Sequence, residues 1–540
     1  MRRRLLAAGA PQAALLAVVL VAGPCAARAT TPRPRPEKKT GKRVSRSSTV
    51  PRTPTDPTTP HERRVTELRA ALEAVLREPP LSRARVGVVA MQAGDGDVLF
   101  SHDADARFNP ASNTKILTTA AAIDRLGGEY RYRTALYGAP PDGDGAVGTV
   151  TLRGSSDPSL SSTDLAELAR ELADRGVTEI HGDLVVDRRP IGWEGVGGDG
   201  LILNRNTIGV RVRPGAPKRP PALAVEPAGA GISVENRAVT TTGRKTRLKL
   251  DSYRREDHLV VQLKGRIGED RGPVLLGLRV ADGALLCGHT LAAVLADFGI
   301  TLRGRVRAGD ELPPFDGREH VLAVHRSAAL ADISRISNKP SNNFVADAIY
   351  KTLGAELFGL PGTLEKGTRA VGAWLVERGI DPARFRLVNG SGLTHENRIT
   401  PIDLARLLRA IYFEPALAPD FLPSLAVAGI DGTIRNRFLG TSAVGLVRGK
   451  TGTLSGVSAL SGYVGDKGDV LVFSILVEGF RNRSTHAVRH AQVRLVEAML
   501  RYLRAEAGPA ETPRVSPEER GPTLPGDEND SETDDGDPTP

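Results

Sequence analysis

The sequence predicts a mixed α/β fold in which helix-and-strand segments at both ends of the ordered chain enclose a long β-rich stretch. Three observations predict it. Apolar residues recur at helical spacing over 65–77 and 114–126, and again over 327–337, 343–358, 364–378, 401–412 and about 484–504. Strand-like runs come in close pairs, at 84–91 with 98–100 and at 458–464 with 469–477. Between about 140 and 320 short β-rich runs dominate, at 149–153, 182–186, 248–250 and 259–263, with Gly/Pro turns between them.

The elements follow in order. Val65 to Arg77 is amphipathic and opens the ordered chain. The first strand pair turns at Gly94-Asp95-Gly96. The Ala-rich helix over 114–126 stops at Gly127-Gly128, because glycine accepts the left-handed backbone that ends a helix. In the last helix Val488, Leu495, Met499 and Leu503 oppose Arg489, Arg494, Arg501 and Arg504. That pattern fits either a peripheral membrane contact or packing on a sheet, and packing is the expectation. No internal repeat is visible.

Composition sets the outer limits. The chain has 540 residues, 40% hydrophobic and 25% charged, enough for several packed domains. Aromatics at 4% leave no extended surface for stacking sugars or bases, and two cysteines exclude a disulfide scaffold. The net charge of +10 is uneven: residues 30–64 hold ten Lys/Arg against three acids, and residues 505–540 hold two Arg against eleven acids. Residues 65–504 keep +8, mild for their length, so neither nucleic acid nor another polyanion is demanded as a partner.

The ends read as targeting and spacer segments. Arg2-Arg3-Arg4, the short apolar run 13–23 and Ala27-Arg28-Ala29 form an export signal over 1–29. Its removal leaves Cys287 alone, without a disulfide. Residues 30–61 form a basic Pro-rich linker and 505–540 an acidic tail, both expected to be disordered. The expected location is the periplasm or cell envelope.

Three motifs carry chemistry. Ser112 and Lys115 stand three apart at the head of the Ala-rich helix and share a face, so the lysine can serve as base for the serine if burial and a nearby cation lower its pKa. Ser341-Asn342-Asn343 opens the helix 343–358, where Ser and Asn also serve as caps. Lys450-Thr451-Gly452-Thr453 precedes the second strand pair; its glycine admits a close ligand, and its lysine and hydroxyls suit a carboxylate. Each motif is weak alone, since Lys39-Thr40-Gly41 in the linker spells the same triplet. His486 and His490 are spaced like a zinc pair but lack a third ligand, and no metal or cofactor is expected. The Gly-rich run 192–200 reads as a loop rather than a phosphate cradle.

In this order and context the three motifs are those of serine acyl-transferases that act on penicillin and peptidoglycan. The chain resembles the D-alanyl-D-alanine carboxypeptidase/endopeptidases, the class C low-molecular-mass penicillin-binding proteins, over roughly 65–504. The resemblance also rests on 109–115 (NPASNTK), 154–160 (GSSDPSL), 389–394 (NGSGLT) and 429–433 (GIDGT). Asn389 and His395 stand where the family usually has Asp and Arg, and Asn342 where Asp is common. The 229 residues from Ser112 to Ser341 exceed what a compact β-lactamase uses, and the excess is the inserted region.

The resemblance implies a β-lactamase/transpeptidase-like antiparallel sheet flanked by helices. It implies a discontinuous catalytic domain at 62–138 and 321–504, with β-rich inserted domains at 139–320. It implies Ser112 as nucleophile and Lys115 as base. Ser341 relays a proton, Asn343 orients Lys115 and the substrate amide, and Lys450 keeps Lys115 neutral by repulsion. Thr451, Gly452, Thr453 and Ser391 line the substrate site. The partners it implies are peptidoglycan peptides ending in or cross-linked through D-alanine, and β-lactam antibiotics. The alternatives are a β-lactamase or esterase on the same fold, or a catalytically silent wall-binding protein.

Overall fold

The computed structural model describes residues 59–187, 200–227, 229, 231–280, 282–309, 320–466 and 468–507. The export signal, nearly all of the basic linker, most of the Gly-rich run and the acidic tail from 508 lie outside the described residues. The first helix, Pro60–Arg77, starts inside the stretch assigned to the linker. Thr59 accepts from the Glu62 backbone and the Glu62 carboxylate accepts from that of Thr59, a reciprocal cap that fixes the start.

The central element is a six-stranded sheet. Its strands run in the order Ala426–Val427, Val447–Leu454, Val457–Asp466, Asp469–Glu478, Arg85–Gln92, Val98–His102. Every neighbouring pair is antiparallel. Successive side chains point to opposite faces, and here both faces are buried. Val89, Met91, Val472 and Leu476 face one core, with the helices Thr114–Leu126, Asn343–Phe358, Leu364–Glu377 and Pro401–Phe413. Val88, Ala90, Phe473 and Ile475 face the other, with the first helix and the last, Thr485–Ala507. The apolar side of the last helix, including Val488, Leu495, Met499 and Leu503, is therefore covered by protein. No described helix is long and apolar enough to cross a membrane.

One strand departs from the sequence expectation. Lys450-Thr451-Gly452-Thr453 does not precede the strands but lies inside one, Val447–Leu454, with Lys450 opposite Ser461 and Gly452 opposite Ala459. Two glycines and no apolar alternation hide it in the sequence.

Residues from Leu136 to Ala323 build a separate core. A five-stranded sheet runs in the order Val306–Gly309, Leu184–Asp187, Val150–Gly154, Arg133–Gly138, His320–Arg326. Its strands 133–138 and 320–326 pair antiparallel, so the chain enters and leaves this sheet side by side, and both strands pack into the same core. Three three-stranded sheets accompany it. The region also contains two helices absent from the sequence reading, Ser162–Asp174 and Gly283–Asp297. The second is apolar nearly all round and buried, so it shows no amphipathic stripe to read. Cys287 sits within it as a free thiol, pushed up by burial.

Candidate active site

Ser112 lies in a tight turn, Ala111–Asn113, that runs into the helix Thr114–Leu126. Ala111 holds a positive φ of 45°, a strained position for a residue with a Cβ. Asn109 secures it: its Oδ1 accepts from Ala111 N at 2.7 Å and its Nδ2 donates to Thr394 O at 3.0 Å. From below, Asn113 donates to Ser461 Oγ at 2.7 Å on the central sheet. The turn is thus bolted to the sheet and to the 389–394 loop, which fixes where the Ser112 hydroxyl points.

Lys115 is fully buried, 0% exposed, one turn along. Its Nζ lies 3.0 Å from Ser112 Oγ, 2.7 Å from Asn343 Oδ1 and 2.7 Å from Ser391 O. Asn343 Oδ1 and Ser391 O can only accept. A neutral amine has two hydrogens, and both are used there, which leaves its lone pair for the Ser112 O–H. Burial pushes Lys115 down to about 7, against a smaller opposing pull from the Asp347 carboxylate. Burial is thus the first cause of its lowered pKa, and the neighbouring Lys450 is itself held down in part by the Lys115 charge.

Lys450 is also fully buried and donates to Ser341 Oγ at 2.8 Å and Thr451 O at 2.9 Å. Burial first, and then the Lys115 charge, hold it well below the ordinary lysine range. Ser341 has a positive φ of 63°, the second strained backbone position at the site after Ala111. Asn342 caps the following helix by accepting from Val345 N at 3.1 Å, so the departure at this position serves the helix start.

Gly452 brings the Lys450 strand against the serine turn. A Cβ there would stand 2.7 Å from Pro110 O and 2.9 Å from Ser112 N. Thr451 donates to Thr433 Oγ1 at 2.8 Å, and Thr453 Oγ1 accepts from Arg489 at 3.0 Å. Ser391 is buried, and the 389–394 loop is tied down by Asn389 Oδ1, which accepts from Gly392 N at 2.9 Å. Asn389 therefore keeps the loop-closing acceptor that an Asp would supply. His395 is exposed at the rim. His486 and His490 line a shallow cleft elsewhere with Glu78 and Arg494, whose carboxylate and guanidinium pair with each other at 2.9 Å.

The structure thus brings Ser112, Lys115, Ser341, Asn343, Lys450, Ser391 and the Thr451–Thr453 strand to one place. Sequence reasoning missed Asp347. Its Oδ1 accepts from Gly390 N at 3.0 Å and Ser391 N at 2.8 Å, which sets the carbonyl that Lys115 uses. The signal was present: Asp347 follows Asn343 by four and shares its helix face. Asp347→Asn keeps an acceptor but removes the charge that props up the Lys115 pKa. The rising limb of the acylation rate against pH should move to lower pH; a limb that stays or moves up contradicts the assignment.

A serine held against a buried amine, with a second lysine–serine pair and a strand of hydroxyls beside it, is the equipment of a serine hydrolase working through an acyl-enzyme. The sequence matches the D-Ala-D-Ala carboxypeptidase 3 (S13) family over residues 68–499. It is 34% identical over 463 residues to the D-alanyl-D-alanine carboxypeptidase of Actinomadura sp. (strain R39), covering 80% of this chain and 85% of that one. It is 26% identical to the D-alanyl-D-alanine carboxypeptidase DacB of Haemophilus influenzae, covering 74% and 86%. The fold is similar to the crystal structure of penicillin binding protein 4 (dacB) from Haemophilus influenzae, with a TM-score of 0.65, 22% identity, and coverage of 80% of this chain and 99% of that one. A further structure of that protein holds a β-lactam. The chain belongs to the D-Ala-D-Ala carboxypeptidase 3 (S13) family, and its activity is that of a D-Ala-D-Ala carboxypeptidase.

Proposed function

We propose that Ser112 Oγ attacks the carbonyl between two D-alanines at the end of a peptidoglycan stem peptide. Neutral Lys115 takes its proton as the bond forms. Lys450 and Ser341 pass a proton to the leaving amine, which departs as D-alanine, and the acyl group stays on Ser112. Water then attacks the ester and restores the serine. Asn343 and Ser391 O orient Lys115. The Thr451 and Thr453 hydroxyls hold the terminal carboxylate, with Arg489 adding a positive charge behind Thr453. The backbone N–H groups of Ser112 and Thr453 receive the developing oxyanion, a contribution of about 10²–10³ in rate per donor in comparable sites.

The same site accepts D-alanyl cross-links, whose leaving group also carries a free carboxylate beside the amine, so D,D-endopeptidase action belongs to this reading. β-Lactams enter as mimics of the dipeptide and leave an ester on Ser112. The enzyme is exported and works in the cell envelope, with residues 1–29 removed and the region about 139–320 inserted into a discontinuous catalytic domain. One observation carries the proposal: two carbonyl oxygens take the hydrogens of the Lys115 amine, and its remaining side faces Ser112.

Fluorescent-penicillin labelling of wild type beside Ser112→Ala, with mass mapping of the adduct, is the test. Label on the Ser112 peptide, absent from Ser112→Ala, is the expected result. Label that survives the substitution removes the nucleophile. An adduct that turns over rapidly favours a β-lactamase instead.

A further inference from the structure

The +8 of residues 65–504 is not spread over them. Residues 205–280 hold sixteen Lys/Arg against seven acids, so the rest of that long segment is close to neutral. More than half of the excess sits on one sheet, whose strands hold seven Lys/Arg against two acids. Ile232–Thr241, His258–Gly268 and Arg247–Arg255 form a three-stranded sheet with the long strand 258–268 in the middle. Ala238, Leu248, Leu250, Leu263 and Ile267 turn one face into the inserted core. The alternate residues turn outward.

On that outer face Arg237 is registered with Lys264, Lys264 with Lys249, and Arg266 with Arg247. All five are exposed. Like charges directly opposite one another on adjacent strands destabilise a sheet, and here two such rungs stack side by side. Local relief is partial. Arg237 pairs with Glu235 at 2.9 Å and Lys249 with Asp251 at 3.4 Å. Arg247, Lys264 and Arg266 make no ion pair among the described residues.

The same chain carries a counterpart. Residues 508–540 hold ten acids against two Arg, a charge of −8 close in size to the +9 of residues 205–280. From residue 508 the remaining 33 residues reach up to about 110 Å when extended. A folded body of about 450 residues has a radius of gyration of only about 22 Å, so the tail can reach any part of its surface. Being covalently attached, it is present at an effective concentration on the order of millimolar.

We propose that the acidic C-terminal segment 508–540 docks electrostatically on the cationic face formed by Arg237, Arg247, Lys249, Lys264 and Arg266. The contact covers the face at low salt and yields to high salt or to a competing polyanion.

The test is energy transfer between dyes on Thr242→Cys, in the adjoining turn, and Pro540→Cys, in the chain from residue 30 onward. Cys287 is buried and stays unlabelled. Strong transfer at low salt should be lost at high salt. It should fall roughly tenfold in docking constant in Arg247→Gln/Lys249→Gln/Lys264→Gln/Arg266→Gln. It should persist when the eight Lys/Arg of residues 30–58 are neutralised. Penicillin labelling should be the same in all of these proteins, which separates this result from the fate of the active-site reading. Transfer that ignores the quadruple substitution, or vanishes with the linker charges, overturns the proposal. So does inorganic polyphosphate binding that is equally tight with and without the tail's acids, because the face would then serve an external polymer.

Discussion

Lys115→Met should leave the protein folded and lower the rate of Ser112 acylation by about 10²–10⁴, the range a positioned general base supplies. Methionine matches the stem of the lysine and removes only the amine. Two acceptors, Asn343 Oδ1 and Ser391 O, lose their donor, at about 1–3 kcal/mol for each buried group left unpaired. That loss is offset in part because the wild-type amine is itself buried. Stopped-flow acylation by a chromogenic β-lactam, beside thermal unfolding of the same sample, separates the two effects. A large rate loss with a cooperative transition is expected. A rate within a few-fold of wild type would show that another group takes the proton.

The second large effect is expected at Gly452. Gly452→Val places two methyl-bearing branches where even a Cβ meets Pro110 O, Ala111 Cβ and Ser112 N. These are backbone and turn atoms of the nucleophile itself, held in place by the Asn109 and Asn113 hydrogen bonds. The strand must move away from Ser112. Misplacement of about 1 Å costs about 10²-fold in a positioned reaction, and overpacking of this kind costs about 1–3 kcal/mol of stability. Released D-alanine from a D-Ala-D-Ala peptide and the unfolding midpoint measure both. Unchanged turnover would mean that the close approach of strand and turn has no part in catalysis.

The residues show why some of this was legible in the sequence and some was not. The helices at 114–126, 343–358 and 401–413 announce themselves by their length of helix-forming apolar residues and a marked end: Gly127, the Asn342 cap and the Thr400-Pro401 start. The sheet strands 457–466 and 469–478 are apolar on both faces and equally plain. The strand 447–454 was hidden because its residues were chosen for close approach and ligand contact, not for packing. The buried helix 283–297 was hidden for the opposite reason, having no polar side.

The same logic holds at the site. Ser112, Lys115 and Lys450 are found by spacing and order. The partners that make Lys115 a base come from remote segments: Ser391 O is a backbone atom, and Asp347 acts through that backbone. No local pattern reports such contacts. The cationic sheet was lost in a different way, by averaging its charge over several hundred neutral neighbours.

The most direct test of the central claim is the rate of Ser112 acylation from pH 5 to pH 9. Burial sets Lys115 at about 7, so its neutral, proton-accepting form is scarce below that pH and prevails above it. The rate constant should rise about tenfold per pH unit on the acid side, bend near pH 7 and level off above. A flat profile, or one that falls as pH rises through 7, would contradict an uncharged Lys115 as the base.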